Sequence, residues 1–446
     1  MASVLDYASP QPRTKSRVSY HHKPSVGNYH FGQIHPMKPH RLALTNSLVL
    51  SYGLHEKMTV YSPRAATKAE LAMFHTPEYV DFLSKVTPEN ATTIDESTRR
   101  IHNIASDNGN NGDCPTFAGI YEFCSTYTGS SLSAARTLLN GSSDIAINWS
   151  GGLHHAQKNE ASGFCYVNDI VIAILYLLRL HARVLYIDID IHHGDGVQNA
   201  FWTTDRVMTL SFHKFSPANR EYFFPGTGSL SETGERKGSH YSLNFPLQDG
   251  ITDDSYLEIF KNVTNAVVKS YRPSSIVLQC GADSLGSDRL GRFSLSIQGH
   301  AAAVKHIKSM QLPLLILGGG GYTLKNVARC WTAETAVICD EQVSSELPET
   351  PYHAFFGPDF SLYPLLKPRF EDQNTKKYLN DVQSKIMEEL RYLDHAPNVM
   401  MDWTPDMFDD ERDEAREDEV EEALKDRRTG AVESAMQGEV RRRGLV

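Results

Sequence analysis

The sequence is poor in cysteine: six of 446 residues, Cys114, Cys124, Cys165, Cys280, Cys330 and Cys339, with no Cys-x-x-Cys pairing. That excludes a disulfide scaffold and fits reduced thiols, several of them buried, in a cytosolic or nuclear protein. No apolar run approaches the roughly 20 residues that a membrane helix needs, which argues against a membrane protein. The first residues lack the apolar core of a secretory signal. Met1 to Arg17 is polar and holds Pro10 and Pro12, so a short flexible arm is expected over residues 1–17. Internal repeats and clustered Pro/Gly linkers are missing too. One domain over residues 18–395 is therefore expected, although this length could hold two or three.

A basic surface is also lacking. The net charge is −10, and twelve acidic residues with two arginines between Asp402 and Glu422 supply all of it. The neutral remainder gives no sign of direct nucleic-acid binding. Residues 396–446 read as an acidic, solvated, largely disordered tail, more simply a solubility or linker segment than a partner site. Arg441-Arg442-Arg443 is too short for a targeting signal.

Hydrophobic residues make up 40% of the chain, ample for a sizeable core. Five short apolar runs have the length of buried strands: Asp144–Trp149, Arg183–Ile189, Arg206–Phe212, Ser275–Gln279 and Leu312–Leu317. Val167–Leu180, apolar nearly all round, reads as a buried helix. Leu379, Val382, Ile386, Leu390 and Leu393 form one helical stripe that Pro397 should end. The alternation predicts an α/β fold with a mostly parallel central sheet and helices on both faces.

Each run ends in glycine or polar residues: Gly151-Gly152-Leu153-His154-His155, Asp190–Asp195, Ser211-Phe212-His213, Gly281-Ala282-Asp283 and Gly318–Tyr322. Ligands of parallel sheets bind outside the carboxyl ends of the strands, so these groups should share one crevice. Residues two apart in an extended segment share a face, so Asp190 and His192 can face one ion, with Asp283 as a third ligand. Two carboxylates and an imidazole suit Zn²⁺ or Fe²⁺ and leave open positions, as catalytic sites do. Capping of strand ends explains such a dense run of acids and histidines poorly. His154 and His155 can divide proton transfer between them, with Asp188 and Asp195 as candidates to fix their tautomers. The Tyr322 hydroxyl could stabilise an oxyanion, though tight helix–strand packing explains the four preceding glycines more simply. Gly163-Phe164 and Phe223-Phe224-Pro225-Gly226 fit either core packing or a narrow alkyl channel.

Arg41–Thr45, His154-His155-Ala156, Asp188–Asp195, Glu221–Gly228, Gly281–Leu290 and Leu317–Tyr322, in this order, resemble class I histone deacetylases over about Val18 to Asp394. His35–Arg41 looks closest to members that act in corepressor complexes, including fungal ones. The resemblance implies a single-domain arginase/deacetylase-like fold that hydrolyses N6-acetyl-lysine in histone tails. It implies Zn²⁺ on Asp190, His192 and Asp283, His155 (with Asp195) as main base and acid, His154 (with Asp188) as electrostatic partner, and Tyr322 on the acetyl carbonyl. Gly163, Phe164 and Phe224 would wall the acetyl-lysine tunnel, with Leu290 at its mouth and Asp113 holding the substrate backbone. It also implies K⁺ at Asp188, Asp190, His192, Ser211 and Phe212, and a second K⁺ at Phe201, Thr204, Val207 and Tyr241. Corepressor-type subunits and residence in the nucleus, with the cytoplasm as a second compartment, follow from the same resemblance. His30, Lys38 and Arg289 match an inositol phosphate pocket. Ile34 replaces a glycine there and Lys325 an arginine, which loses the bidentate fork and weakens that expectation.

Overall fold

The structure is a computed structural model that describes residues 15–105, 112–216 and 221–393. Within them, the runs rich in Ile, Val and Leu become strands buried along their whole length, as a sheet covered on both faces requires, while the edge strand Thr59–Tyr61 stays largely exposed. The strands are β1 (Val18–His21), β2 (Thr59–Tyr61), β3 (Ile145–Asn148), β4 (Val184–Asp188), β5 (Val207–Lys214), β6 (Ser242–Leu247), β7 (Ser275–Gln279) and β8 (Leu314–Leu317). They form one eight-stranded sheet in the order β2-β1-β3-β8-β7-β4-β5-β6, and every pairing is parallel.

The five runs expected from the sequence are the five central strands, and their carboxyl ends share one edge. β7 and β8 are late in sequence yet lie between β3 and β4. Four adjacent strand ends therefore deliver the His154-His155, Gly318–Tyr322, Gly281–Asp283 and Asp188–Asp195 segments side by side. This break in strand order is where a parallel sheet opens a crevice.

Helices pack on the sheet in two groups. Ile120–Leu139 lies against β1, β3 and β8 and against the helix Asp169–Leu177. The second group chains His40–Ser51 to Leu324–Ile338, then Ile297–Lys308, Asp253–Tyr271 and Lys376–Glu389. In Asp169–Leu177, Ile170, Val171, Ile172, Ile174 and Leu177 are all buried, each contributing about 1.5–3 kcal/mol on transfer from water.

That helix is shorter than the apolar run Val167–Leu180. Asn168 caps its start by accepting the Val171 N–H at 3.1 Å, and Leu180 is 74% exposed beyond its end. The closing helix buries Leu379, Val382 and Ile386 as expected, then tightens into a 3₁₀ turn at Leu390–Tyr392. Pro397, most of the arm and the acidic tail lie outside the described residues. All six cysteines are buried. No helix among the described residues is long and apolar enough to cross a membrane.

Candidate active site

Backbone geometry sets the histidine pair. After β3 the chain turns through Gly152 at φ +93°, where a Cβ would lie 2.4 Å from the Gly318 carbonyl oxygen. Only glycine lets these two strand-end loops touch. The Asp169 carboxylate then accepts the N–H groups of Gly152 (3.1 Å) and Leu153 (3.0 Å) and the Ser131 hydroxyl (2.5 Å). Asn168 donates to the Ala156 carbonyl at 3.0 Å. The start of one buried helix thus holds the loop that carries His154 and His155.

Each imidazole has the carboxylate partner anticipated for it. His154 Nδ1 lies 2.8 Å from Asp188 Oδ2, and His155 Nδ1 lies 2.7 Å from Asp195 Oδ1. Asp188 also accepts the Tyr186 hydroxyl at 2.6 Å, and Asp195 accepts Gln157 Nε2 at 3.0 Å. Both partners occupy the Nδ1 side, which leaves Nε2 for chemistry. The two rings are 4.0 Å apart between centroids but differ in charge. Against its burial, Asp188 and Asp190 push His154 up to about 9. Burial, reinforced by His154 and His192, drives His155 well below the usual imidazole range. These surroundings favour the protonated form of His154 and the neutral form of His155.

Asp190, His192 and Asp283 meet one layer away, fully buried in side chain except for His192 at 10%. His192 Nδ1 is 3.1 Å from Asp190 Oδ1 and 3.0 Å from Asp283 Oδ2. The other oxygens are fixed by the backbone and Gln279. Asp190 Oδ2 accepts the Gly320 N–H (2.8 Å) and Gln279 Nε2 (3.0 Å), and Asp283 Oδ1 accepts the Ile191 N–H (3.0 Å). Against burial, Asp283 and Asp190 push His192 up to about 10. Burial and the neighbouring Asp190 push Asp283 up to about 7. Two buried carboxylates facing one nitrogen demand a cation. The ligand atoms all lie within 4.8 Å of one another, so the three residues fit a divalent ion with a vacant fourth position. A second cluster, His300, Cys330 and Glu334, has similar spacing. There both ring nitrogens of His300 are engaged, Nδ1 by Glu334 and Nε2 by the Gly281 carbonyl at 3.0 Å. It braces the Asp283 loop and offers a metal no imidazole nitrogen.

Tyr322 sits above this centre, 7% exposed. Burial, with Asp283 and Asp190 nearby, raises its phenol well above the ordinary value and keeps the hydroxyl proton in place. Its N–H donates to Asp288 Oδ2 at 2.8 Å, and the Leu290 N–H donates to Asp288 Oδ1 at 2.9 Å. Arg41, fully buried, donates to the carbonyls of Gly321 (2.6 Å) and Gly319 (2.5 Å) and so fixes the glycine run. The aromatics gather here as well. Phe164 packs edge-on to Tyr322 at 5.7 Å, Phe224 edge-on to His155 at 4.9 Å, and Phe223 stacks flat on His192 at 5.2 Å. Asp113 turns inward and accepts the Gly163 N–H at 2.5 Å.

The remaining expected positions are more dispersed. Ser211 pairs in register with Asp188 across β4 and β5, and its hydroxyl meets His213 Nδ1 at 2.8 Å. Phe201, Thr204, Val207 and Tyr241 cluster where β5 begins, the Thr204 N–H donating to the Phe201 carbonyl at 3.2 Å. His30, Gly32, Gln33 and Ile34 line a cavity of about 470 Å³ with Pro88 and Phe117. Lys38 donates to the Gly32 (2.6 Å) and Gln33 (2.8 Å) carbonyls of that loop and feels the charge of Arg289. Lys325 donates to the Gly357 carbonyl at 3.2 Å.

Sequence reasoning passed over Asp169, Gln279, Asp288 and Arg41. A charged residue heading an apolar helix and a glutamine ending an apolar strand were signals available for the first two.

A family profile described as the histone deacetylase domain matches residues 35–338. Histone deacetylase B of Dictyostelium discoideum is 56% identical over 398 residues, 88% of this chain and 92% of that protein. Histone deacetylase 9 of Arabidopsis thaliana is 52% identical over 396 residues, covering 89% and 90%. Histone deacetylase 1 of Bos taurus is 51% identical over 393 residues, covering 88% and 79%.

Proposed function

The chain belongs to the histone deacetylase family and is a hydrolase, and from that membership we propose that it removes acetyl groups from lysine side chains of histone tails with one zinc ion held by Asp190, His192 and Asp283. The observation that carries the reading is the convergence of His192 Nδ1 on both carboxylates, next to two histidines each backed by its own carboxylate. When bound there, zinc supplies Lewis-acid polarisation of the acetyl carbonyl and a lowered pKa for water.

The protein's own groups do the rest. His155, neutral and oriented by Asp195, takes the proton of the attacking water and hands it to the departing lysine amine. His154, held cationic by Asp188, offsets negative charge as the tetrahedral intermediate forms. Tyr322 donates its hydroxyl hydrogen bond to the carbonyl oxygen as that charge develops. Gly163, Phe164 and Phe224 enclose the alkyl chain, Leu290 stands at the mouth, and Asp113 accepts a substrate backbone N–H.

The same reading assigns K⁺ to the two backbone-rich sets at Asp188–Phe212 and Phe201–Tyr241. It takes residues 18–395 as the catalytic domain, 1–17 and 396–446 as tails, and a nuclear corepressor-type complex as the working context. For inositol phosphate the same reading offers His30, Lys38, Arg289 and Lys325, with Lys38 donating two of its three N–H bonds to its own loop and Lys325 one to Gly357.

The test assays the purified chain on an acetyl-lysine histone peptide and an acetylated polyamine, before and after chelation, with and without a corepressor fragment. Peptide turnover lost on chelation and restored by zinc is expected. Turnover of the polyamine alone, or turnover indifferent to chelation, overturns the reading.

A further inference from the structure

The phenylalanine wall of the tunnel is not held by packing alone. Phe223 stacks on His192 and Phe224 packs on His155, so both zinc-side imidazoles are walled by one short segment. Glu221, two residues before Phe223, meets Arg292 through both guanidinium ends, at 2.7 and 3.1 Å. Arg292 reaches on to Asp249 at 3.4 Å, and Asp249 pairs with Lys214 at 2.9 Å. The Lys214 ammonium lies 5.9 Å from the centre of the Phe223 ring, within reach of a cation–π attraction. Four charges of alternating sign thus run from the start of the wall segment back to one of its rings. Arg292 is the hub: its guanidinium also covers Phe370 at 5.2 Å, and its carbonyl accepts the Gly250 N–H at 2.8 Å.

A Cβ on Gly163 would lie 2.3 Å from His155 Cδ2 and 2.9 Å from Phe224 Cε1, so His155 and Phe224 both stand close against that side of the tunnel. We propose that Arg292, by tying Glu221 to Asp249, is a positioning residue that fixes the Phe223–Phe224 wall against His192 and His155 and so sets how well the tunnel binds the acetyl-lysine side chain. This rests on the deacetylase reading above.

The pair is testable because Glu221 is 72% exposed in side chain and Arg292 25%, so the variants spare the core. KM and kcat are measured for an acetyl-lysine peptide at low and high salt. The proteins are the unaltered chain, Arg292→Ala, Arg292→Lys, Glu221→Gln and the double variant. Arg292→Ala and Glu221→Gln should each raise KM for the acetyl peptide roughly two- to fivefold at nearly constant kcat, the range an exposed ion pair can impose. The double variant should be no worse than either single one, because the two changes remove one interaction. Arg292→Lys should recover part of the loss, keeping the charge without the fork. High salt should raise KM in the unaltered chain and leave Arg292→Ala unmoved. Additive losses, or unchanged KM in both single variants, overturn the proposal. An unaltered chain inactive on the acetyl peptide overturns the deacetylase reading instead.

Discussion

Gly163→Ala puts the most demand on the geometry described here. The added Cβ would stand 2.3 Å from His155 Cδ2 and 2.7 Å from its Cγ. Ordinary carbon contacts lie near 3.5–4.0 Å, so something must retreat by about 1.2 Å. If the imidazole moves, its 2.7 Å contact with Asp195 opens, and a bond to a charged group worth about 1.5–3 kcal/mol is lost. If the 163 peptide moves, the hydrogen bond from its N–H to Asp113 breaks instead. Residue 163 also sits at φ +53°, which costs an alanine roughly 1–2 kcal/mol. The total is about 3–5 kcal/mol of destabilisation. A displacement of about 1 Å in the proton-transfer group costs on the order of 100-fold in turnover. Gly53→Ala is the matched control. Its φ is +71° with nothing within 4 Å of the new Cβ, so it carries the backbone penalty without the clash. Urea unfolding and steady-state kinetics on an acetyl-lysine peptide, with zinc content by elemental analysis, separate the terms. Zinc should stay bound in both variants. Gly163→Ala with turnover within twofold of the parent would refute the claim that this wall touches the catalytic histidine.

Tyr322→Phe should keep zinc and fold while lowering kcat about 100- to 1000-fold, the usual cost of one oxyanion donor; unchanged kcat removes Tyr322 from that role. Asp283→Ala should cost the metal, and equal zinc by elemental analysis would strike it from the ligand set. Glu70 gives a pH signature. Its burial would raise the pKa, but Arg64, the Thr67 N–H and Arg136 lower it below the usual 4.5. The stability it confers is thus complete above that value and is lost as the pH falls through the lowered one. Glu70→Gln should flatten this part of the acid limb and destabilise the protein by about 1–3 kcal/mol at neutral pH; an unchanged acid limb in denaturant titrations would contradict it.

The central strands were legible because parallel strands buried on both faces read as unbroken apolar runs. β6 escaped notice because Asn244 and Pro246 interrupt it; proline is tolerated there because β6 is an edge strand. β1 hid behind Ser19 and His21, polar residues made tolerable by bonds to Thr137 and Ser133 that no local pattern announces. The same divide runs through the site. Asp190, His192, Asp283 and Tyr322 follow strand ends and could be located in advance. Asp169 and Asp288 accept backbone N–H groups of distant loops, and Gln279 donates to the Asp190 carboxylate and the Gly152 carbonyl; these partners exist only once the chain has folded.

The insertion of β7 and β8 between β3 and β4 also sets an order of events during synthesis. His192 and Asp283 are 91 positions apart, so the ribosome delivers the first metal-binding half about 5–18 seconds before the second, at about 5–20 residues per second. Until then β3 and β4 have no neighbour to bridge them, and Asp190 lacks the Gly320 N–H, 130 positions downstream. A nascent chain halted before β8 holds the acids and histidines of a hydrolase but not their arrangement. Activity is therefore withheld until the last sheet strand is in place.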